Sequence, residues 1–175
     1  MEQECRVVFL DRDGVINKRP PIHEYVSCRD ELHILPGVAA AIRRCNNAGL
    51  LVFVVSNQRG IARGIVKRET VDDVHVYLNE LLGKEGAHID GFYVCPHGLN
   101  ECNCRKPAPG LLIRAEQDLL KKGYIIDKSH SVMIGDSDSD IGAGKAYGVR
   151  SIKIGDEGAA DLGAAIDEAW STLLQ

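Results

Sequence analysis

Two carboxylates occupy alternate residues in the stretch Phe9-Leu10-Asp11-Arg12-Asp13-Gly14-Val15-Ile16-Asn17. Just past a buried strand, such a pair can serve one reaction centre in two roles, one attacking and the other handling protons, provided that the backbone curls at Gly14. A lone D-x-D reads equally as two loop-capping residues. Three later stretches carry compatible groups: Val54-Val55-Ser56-Asn57-Gln58, Cys104-Arg105-Lys106-Pro107 and Ile134-Gly135-Asp136-Ser137-Asp138-Ser139-Asp140. They add a hydroxyl, an ammonium and a ladder of carboxylates. A different chemistry is written in Cys95, His97, Cys102 and Cys104, which follow a C-x-H-x4-C-x-C pattern. A tetrahedral Cys₃His zinc site is the natural occupant of such a set. The spacing is tighter than that of common zinc fingers, so free cysteines beside a loop histidine are the alternative.

The elements that must position these groups follow from the apolar pattern. Residues 5–10 form a short apolar run that reads as a buried parallel strand, and it ends abruptly at the first carboxylate. In open α/β sheets, ligands sit at such strand ends. Runs at 50–55, 89–94, 131–134 and 151–154 read the same way. Between them the spacing predicts helices over 38–48, 67–82, 109–122, 139–146 and 159–174. The first would bury Val38, Ile42 and Cys45, the second Val71, Val74, Leu78 and Leu81, and the third Leu112, Ala115 and Leu119. Pro109 suits a first helical position, and Gly49 and Gly123 suit helix ends. The alternation of strand and helix argues for parallel strands joined by right-handed crossovers, an α/β fold with helices on both faces of the sheet.

Residues 17–35, polar and interrupted by Pro20-Pro21, read as an excursion over the strand end. Such a loop could cover the site; within it His23, Glu24 and Tyr25 are expected to be exposed loop residues, with contact to substrate as the alternative. Residues 58–66, broken by Gly60 and Gly64, should form a loop that carries Arg59 and Arg63. His75 falls inside a helix and is expected to be a surface or half-buried residue.

A chain of 175 residues, 45% of them hydrophobic, can bury one real core, so one domain spanning 1–175 is expected, with residues 95–104 as an insertion. The net charge of -4 and the 5% aromatic content argue against a cationic, aromatic-lined groove for nucleic acid. No apolar run approaches the roughly 20 residues of a membrane span. Met1 is followed by Glu-Gln-Glu rather than by a basic and then apolar export signal. A cytoplasmic monomer without membrane or nucleic-acid partners is therefore expected. The six cysteines are unevenly spaced, and Cys5, Cys28 and Cys45 read as reduced, partly buried residues rather than a disulfide framework.

In order and residue type, the four acidic, hydroxyl and lysine stretches resemble the motifs of the haloacid dehalogenase-like (HAD) phosphatases, over about residues 7–154. The resemblance implies a Rossmann-like parallel sheet with no large cap domain. It implies that Asp11 forms an aspartyl-phosphate, and that Asp13 protonates the leaving oxygen and then activates water. A carboxylate cannot approach a phosphate dianion unaided, and hard oxygen ligands with an incomplete shell suit Mg²⁺. By resemblance the ion takes a side-chain oxygen of Asp11, the backbone carbonyl of Asp13 and the carboxylate of Asp136. Ser56 and Lys106 would hold the phosphoryl oxygens. Asp140, more than Asp138, is expected behind the metal ligands.

An insertion like that at 95–104 occurs in a HAD subgroup that includes the heptose 1,7-bisphosphate phosphatases and the phosphatase half of the histidine-pathway bifunctional enzyme. Asn57-Gln58-Arg59-Gly60-Ile61-Ala62-Arg63-Gly64 is similar to the N-Q-x-G-I-[AG]-R-G of the heptose enzymes. The resemblance therefore implies a phosphorylated sugar substrate, a heptose 1,7-bisphosphate losing its 7-phosphate on the way to nucleotide-heptose precursors of bacterial surface polysaccharide. Gly14, Asn57, Arg59, Arg63 and Arg105 are the expected substrate-binding residues, the arginines serving a second phosphate. Ser137 departs from the lysine that some heptose enzymes carry there, which leaves the anomer open. Histidinol phosphate is the alternative substrate; a polynucleotide 3'-phosphatase or a non-catalytic zinc module ranks lower. Zinc, in a closed shell, would be structural and would place Lys106.

Overall fold

The computed structural model describes residues 2–174. Its centre is β2 (Val7–Leu10), whose four residues are all buried. A strand apolar on both faces must be covered on both sides. Around it are β3 (Leu51–Asn57), β4 (Gly91–Cys95), β6 (Val132–Gly135) and β7 (Arg150–Lys153), in a parallel sheet of order β4-β3-β2-β6-β7. Val8 and Leu10 pack with α1 (Val38–Asn47), α2 (Arg68–Gly83) and α5 (Leu162–Leu174). Val7 and Phe9 point to the other layer, with α3 (Gly110–Leu120) and α4 (Asp138–Tyr147). The two-residue period of a strand thus divides the core into two halves.

The register sets up the site. Leu10 pairs with Val54 on one side and Ile134 on the other, so β2, β3 and β6 reach the same edge together. The chain builds outward from β2 through β3 and β4, then returns to the far side through β6 and β7. That reversal beside β2 is the switch point at which doubly wound sheets leave a crevice.

Three expectations are corrected. The run at 5–10 is two strands: β1 (Gln3–Cys5) pairs in parallel with β5 (Tyr124–Ile126), a strand that the apolar pattern did not announce. Arg6 separates them, its guanidinium donating to Leu173 O at 2.8 Å. The strand expected at 89–94 starts at Gly91, because Ile89 is tied to the Asn79 side chain through both its N–H, at 2.8 Å, and its carbonyl, at 3.1 Å. The last helix begins at Leu162, where Asp161 Oδ1 accepts from Ala164 N at 2.8 Å. Ala159 is held before it, donating to Lys153 O. Among the described residues, no helix is long and apolar enough to cross a membrane.

Phe9 anchors the second half of the core, its ring 6.1 Å from that of Phe53 and 5.7 Å from that of Tyr147. Phe9→Ala should cost about 3–5 kcal/mol of stability. Urea unfolding should show a lower midpoint with an unchanged m-value. A loss below about 1 kcal/mol would mean that the layer collapses around the gap.

Candidate active site

Asp11 is the first residue past β2, and its N–H donates to Ile134 O at 3.0 Å, prolonging the ladder by one bond. The chain then coils: the Arg12 carbonyl accepts from the N–H groups of Val15, Ile16 and Asn17. Gly14 has φ +89°, and a Cβ there would lie 1.8 Å from Asp136 Oδ2. Only glycine lets the Asp136 carboxylate, at the end of β6, come this close to the loop.

Lys106 reaches in from the far side of the crevice and is 3% exposed. Its Nζ lies 2.8 Å from Asp11 Oδ1, 2.7 Å from Val55 O and 2.5 Å from Asp140 Oδ1. Asn57 holds its backbone from both ends: Lys106 N donates to Asn57 Oδ1, and Asn57 Nδ2 donates to Lys106 O, each at 3.1 Å. Asp140 is fully buried in the first turn of α4, where its Oδ2 accepts from Ser137 N at 3.0 Å and Ser137 Oγ at 2.6 Å. Asp138 faces outward and pairs with Lys153. Two residues along the helix, about 200° of phase, separate the two roles.

Asp11, Asp136 and Asp140 each offer an oxygen within 4.8 Å of the others. Burial raises the Asp11 pKa to about 6, with Lys106 opposing the rise and the Asp140 charge adding to it. Burial also raises Asp136, against the pull of Arg19, which pairs with it. Three carboxylate oxygens gathered this closely are a fitting cradle for a divalent cation with oxygen ligands.

The Asp13 carboxylate is held elsewhere. It accepts from Arg12 Nε at 3.1 Å and Nη2 at 3.0 Å, from Asn17 Nδ2 at 2.9 Å and from Gln58 Nε2 at 3.1 Å. Burial alone would raise its pKa, but the Arg12 charge and these bonds outweigh burial and hold it below the usual carboxylate range. Gln58 Nε2 also donates to Ser56 Oγ at 2.9 Å. Ser56, 1% exposed, therefore lies behind Asp13 rather than on the cavity wall.

The cavity, about 390 Å³, is walled by Asp11, Asp13, Asn57 and Lys106 on the sheet side and by Arg19, Arg59, Arg63 and Arg105 at its rim. Arg59 Nε and Arg105 Nη1 are buried without a protein partner among the described residues. Unpaired buried guanidinium N–H groups are a cost that an anionic ligand would remove. His23, Glu24 and Tyr25 also line the cavity, so the excursion is a wall of the site and not merely exposed loop; the Tyr25 ring lies against Gly60.

Sequence reasoning missed Arg12, Arg19 and Gln58. The expectation for His75 is corrected: it is 3% exposed, with Nε2 at 3.1 Å from Arg12 Nη1. A polar residue on the otherwise apolar face of α2, four residues after Val71 and three before Leu78, was the available signal.

At the end of β4, Cys95, His97, Cys102 and Cys104 converge. The Sγ atoms of Cys95 and Cys104 lie 3.6 and 3.4 Å from that of Cys102, and 3.6 and 3.3 Å from His97 Nδ1. A disulfide would need about 2.05 Å. A tetrahedral zinc with bonds of about 2.3 Å to sulfur and 2.0 Å to nitrogen has edges of about 3.8 and 3.5 Å, close to those found. The four atoms thus fit one ion, on a loop that ends two residues before Lys106.

A family model described as HAD-hydrolase-like matches residues 103–170. The chain is 41% identical over 149 residues to the D-glycero-beta-D-manno-heptose-1,7-bisphosphate 7-phosphatase of Rhodopseudomonas palustris, spanning 81% of this chain and 78% of the relative. It is 37% identical over 172 residues to the D-glycero-alpha-D-manno-heptose-1,7-bisphosphate 7-phosphatase of Mycobacterium bovis, spanning 93% and 87%. Its fold is similar to the crystal structure of D,D-heptose 1,7-bisphosphate phosphatase from B. bronchiseptica complexed with magnesium and phosphate. That match has a TM-score of 0.77 and 27% identity, over 95% of this chain and 98% of the other. It is also similar to a HAD-like phosphatase from Mesorhizobium loti, with a TM-score of 0.83 and 29% identity, over 98% and 87%.

Lys106→Met should destabilise the protein by about 3–5 kcal/mol at neutral pH, since Asp11 and Asp140 would be left buried without their cation. In the folded variant buried Asp11, without the opposing Lys106 charge, would bind its proton more tightly than in the unfolded chain, so stability falls as the pH rises. The deficit relative to the parent should therefore shrink on mild acidification, as read by urea unfolding at the two pH values. A deficit that is independent of pH would assign the loss to packing.

Proposed function

The chain belongs to the heptose-1,7-bisphosphate 7-phosphatase family of HAD-like hydrolases, and from that premise we propose that it hydrolyses the 7-phosphate of a heptose 1,7-bisphosphate through Asp11, in nucleotide-heptose synthesis for bacterial surface polysaccharide. The observation that carries this reading is the pairing of one reaction centre, Asp11 with Lys106 and Asp140, with a rim of arginines in the same cavity. A substrate with two phosphates needs both: one phosphate to react and another to be gripped.

In this reading an Asp11 carboxylate oxygen forms a bond to phosphorus while the bond from phosphorus to the sugar oxygen breaks, and Asp13 gives that oxygen its proton. Water then breaks the acyl phosphate, its proton passing to Asp13 and the Asp11 carboxylate being restored. Holding Asp13 below the usual carboxylate range suits the second step; the first draws on the fraction that carries the proton. Lys106 steadies the phosphoryl oxygens and Asp11 alike. Ser56, behind Asp13, supports the loop floor through Gln58.

Asp11, Asp136 and the Asp13 carbonyl would hold Mg²⁺, which supplies positive charge between the attacking carboxylate and the phosphate. Asp140 stands behind them on Lys106. Cys95, His97, Cys102 and Cys104 would hold a zinc with a closed shell, and its contribution is to anchor the chain that enters Arg105 and Lys106.

The test of the function is phosphate release with Mg²⁺ from heptose 1,7-bisphosphates, histidinol phosphate, hexose bisphosphates and 3'-phosphorylated oligonucleotides. The highest kcat/KM is expected for a heptose bisphosphate; a preference for histidinol phosphate would overturn the reading.

Zinc is tested separately. Elemental analysis should find about one zinc per chain, since four protein ligands form one closed site. Cys102→Ser should lower the zinc content and the rate together, by up to roughly a hundredfold if Lys106 shifts by about 1 Å. Full activity in zinc-free protein would sever the link to Lys106.

A further inference from the structure

His75 has no part in the chemistry above, yet it is buried directly beneath it. Its ring stacks on Phe92 of β4, with centroids 4.4 Å apart and planes 12° from parallel. Its Nε2 faces Arg12 Nη1 at 3.1 Å. Arg12 is fully buried, and its other edge, Nε and Nη2, is spread over Asp13. The four side chains Phe92, His75, Arg12 and Asp13 thus form one line from the outer layer to the loop of the reaction centre.

Chemistry fixes the roles along that line. A guanidinium has five N–H donors and no acceptor. His75 Nε2 must therefore accept, which places the ring proton on Nδ1 and leaves the ring neutral. Its surroundings agree: burial, the Arg12 charge and Arg68 push the His75 pKa down to about 3, with only Asp13 pulling the other way. A neutral acceptor holds the Arg12 plane without competing for Asp13, whereas a buried acid there would draw the guanidinium toward itself.

We propose that His75 is a positioning residue for Asp13: by fixing the plane of Arg12 it fixes the orientation in which Asp13 meets the leaving oxygen and the attacking water. The proposal rests on the reading of Asp13 as the acid–base group. It adds a requirement from α2, a helix that lends no residue to the cavity wall.

The test is His75→Leu, which removes the acceptor, beside His75→Gln, whose side-chain oxygen can still accept from Arg12. Two substrates are used with Mg²⁺: a heptose 1,7-bisphosphate, whose alkoxide must be protonated to leave, and p-nitrophenyl phosphate, whose phenolate leaves unaided. For the leucine variant kcat on the heptose substrate should fall by roughly ten- to a hundredfold, the scale of a displacement of up to about 1 Å, with KM little changed. On p-nitrophenyl phosphate, formation of the intermediate should survive and its breakdown should slow. A burst of nitrophenol equal to the enzyme should then appear. The glutamine variant should recover most of the loss.

An unchanged kcat, a change in KM alone, or an equal loss on both substrates with no burst and no rescue by glutamine would overturn the proposal. Should the leucine variant not fold, Phe92→Leu, which removes the stacking but keeps the acceptor, should give a milder form of the same kcat loss and burst. Its absence would likewise overturn the proposal. A parent enzyme inactive on heptose bisphosphates would refute the substrate reading, while the p-nitrophenyl phosphate arm would still decide the role of His75.

Discussion

The Lys106 ammonium, itself buried, meets Asp11, Asp140 and the Val55 carbonyl at the floor of the cavity, and the rest of the site is arranged around that contact. Two carboxylates buried this near each other repel strongly unless a cation lies between them. Burying the cation is itself costly, and the cost is offset only where the geometry satisfies the ammonium fully. Here two hydrogen bonds, to Asp11 and the Val55 carbonyl, and an ion pair with Asp140 surround it. These partners come from the end of β2, the backbone of β3 and the first turn of α4, so one side chain joins both sides of the crevice to the helix layer. The Asn57 amide and the cysteine loop make sense as devices that bring the Lys106 backbone to that point.

From this centre the charge pattern runs outward in order. Negative oxygens of Asp11, Asp136 and Asp140 cluster at the floor, and four arginines stand at the rim. Gly14 permits the floor to close, because a side chain there would occupy the place of the Asp136 carboxylate. The arrangement separates two tasks that a single charged pocket would confuse. In the proposed reading, carboxylates and one lysine would meet the phosphate to be transferred, and Arg59, Arg63 and Arg105 would meet the one to be retained. Asp13 also lines the cavity, and its orientation is set by Arg12, Asn17 and Gln58.

Much of this was legible in the sequence, for identifiable reasons. Strands β2, β3 and β6 are buried on both faces, so each reads as an unbroken apolar run ending at a functional residue. The resemblance to the family pattern favoured Asp140 over Asp138, and the spacing of Cys95, His97, Cys102 and Cys104 was enough to bring their ligand atoms together. What escaped was of two kinds. β1 and β5 are three residues each, too short for any period, and their pairing spans most of the chain. The underside of Asp13 escaped because side-chain direction is not written in local pattern. Gln58 and His75 lie 45 and 63 residues from the groups they serve, and although His75 interrupts an apolar helix face, nothing local says what it meets. Ser56 shows the converse: the expected residue type stands at the expected strand end, but its hydroxyl is turned to Gln58.

The account turns on Asp11 as the atom that takes the phosphoryl group. It is tested most directly by quenching the working enzyme in acid, treating it with borohydride, which reduces an acyl phosphate to the alcohol, and sequencing the peptide that contains residues 7–17 by mass spectrometry. The account predicts homoserine at position 11 and aspartate intact at position 13, only when substrate and Mg²⁺ were both present. Continued turnover with no reduced residue at position 11 in any quench, or homoserine at position 13 instead, would contradict it.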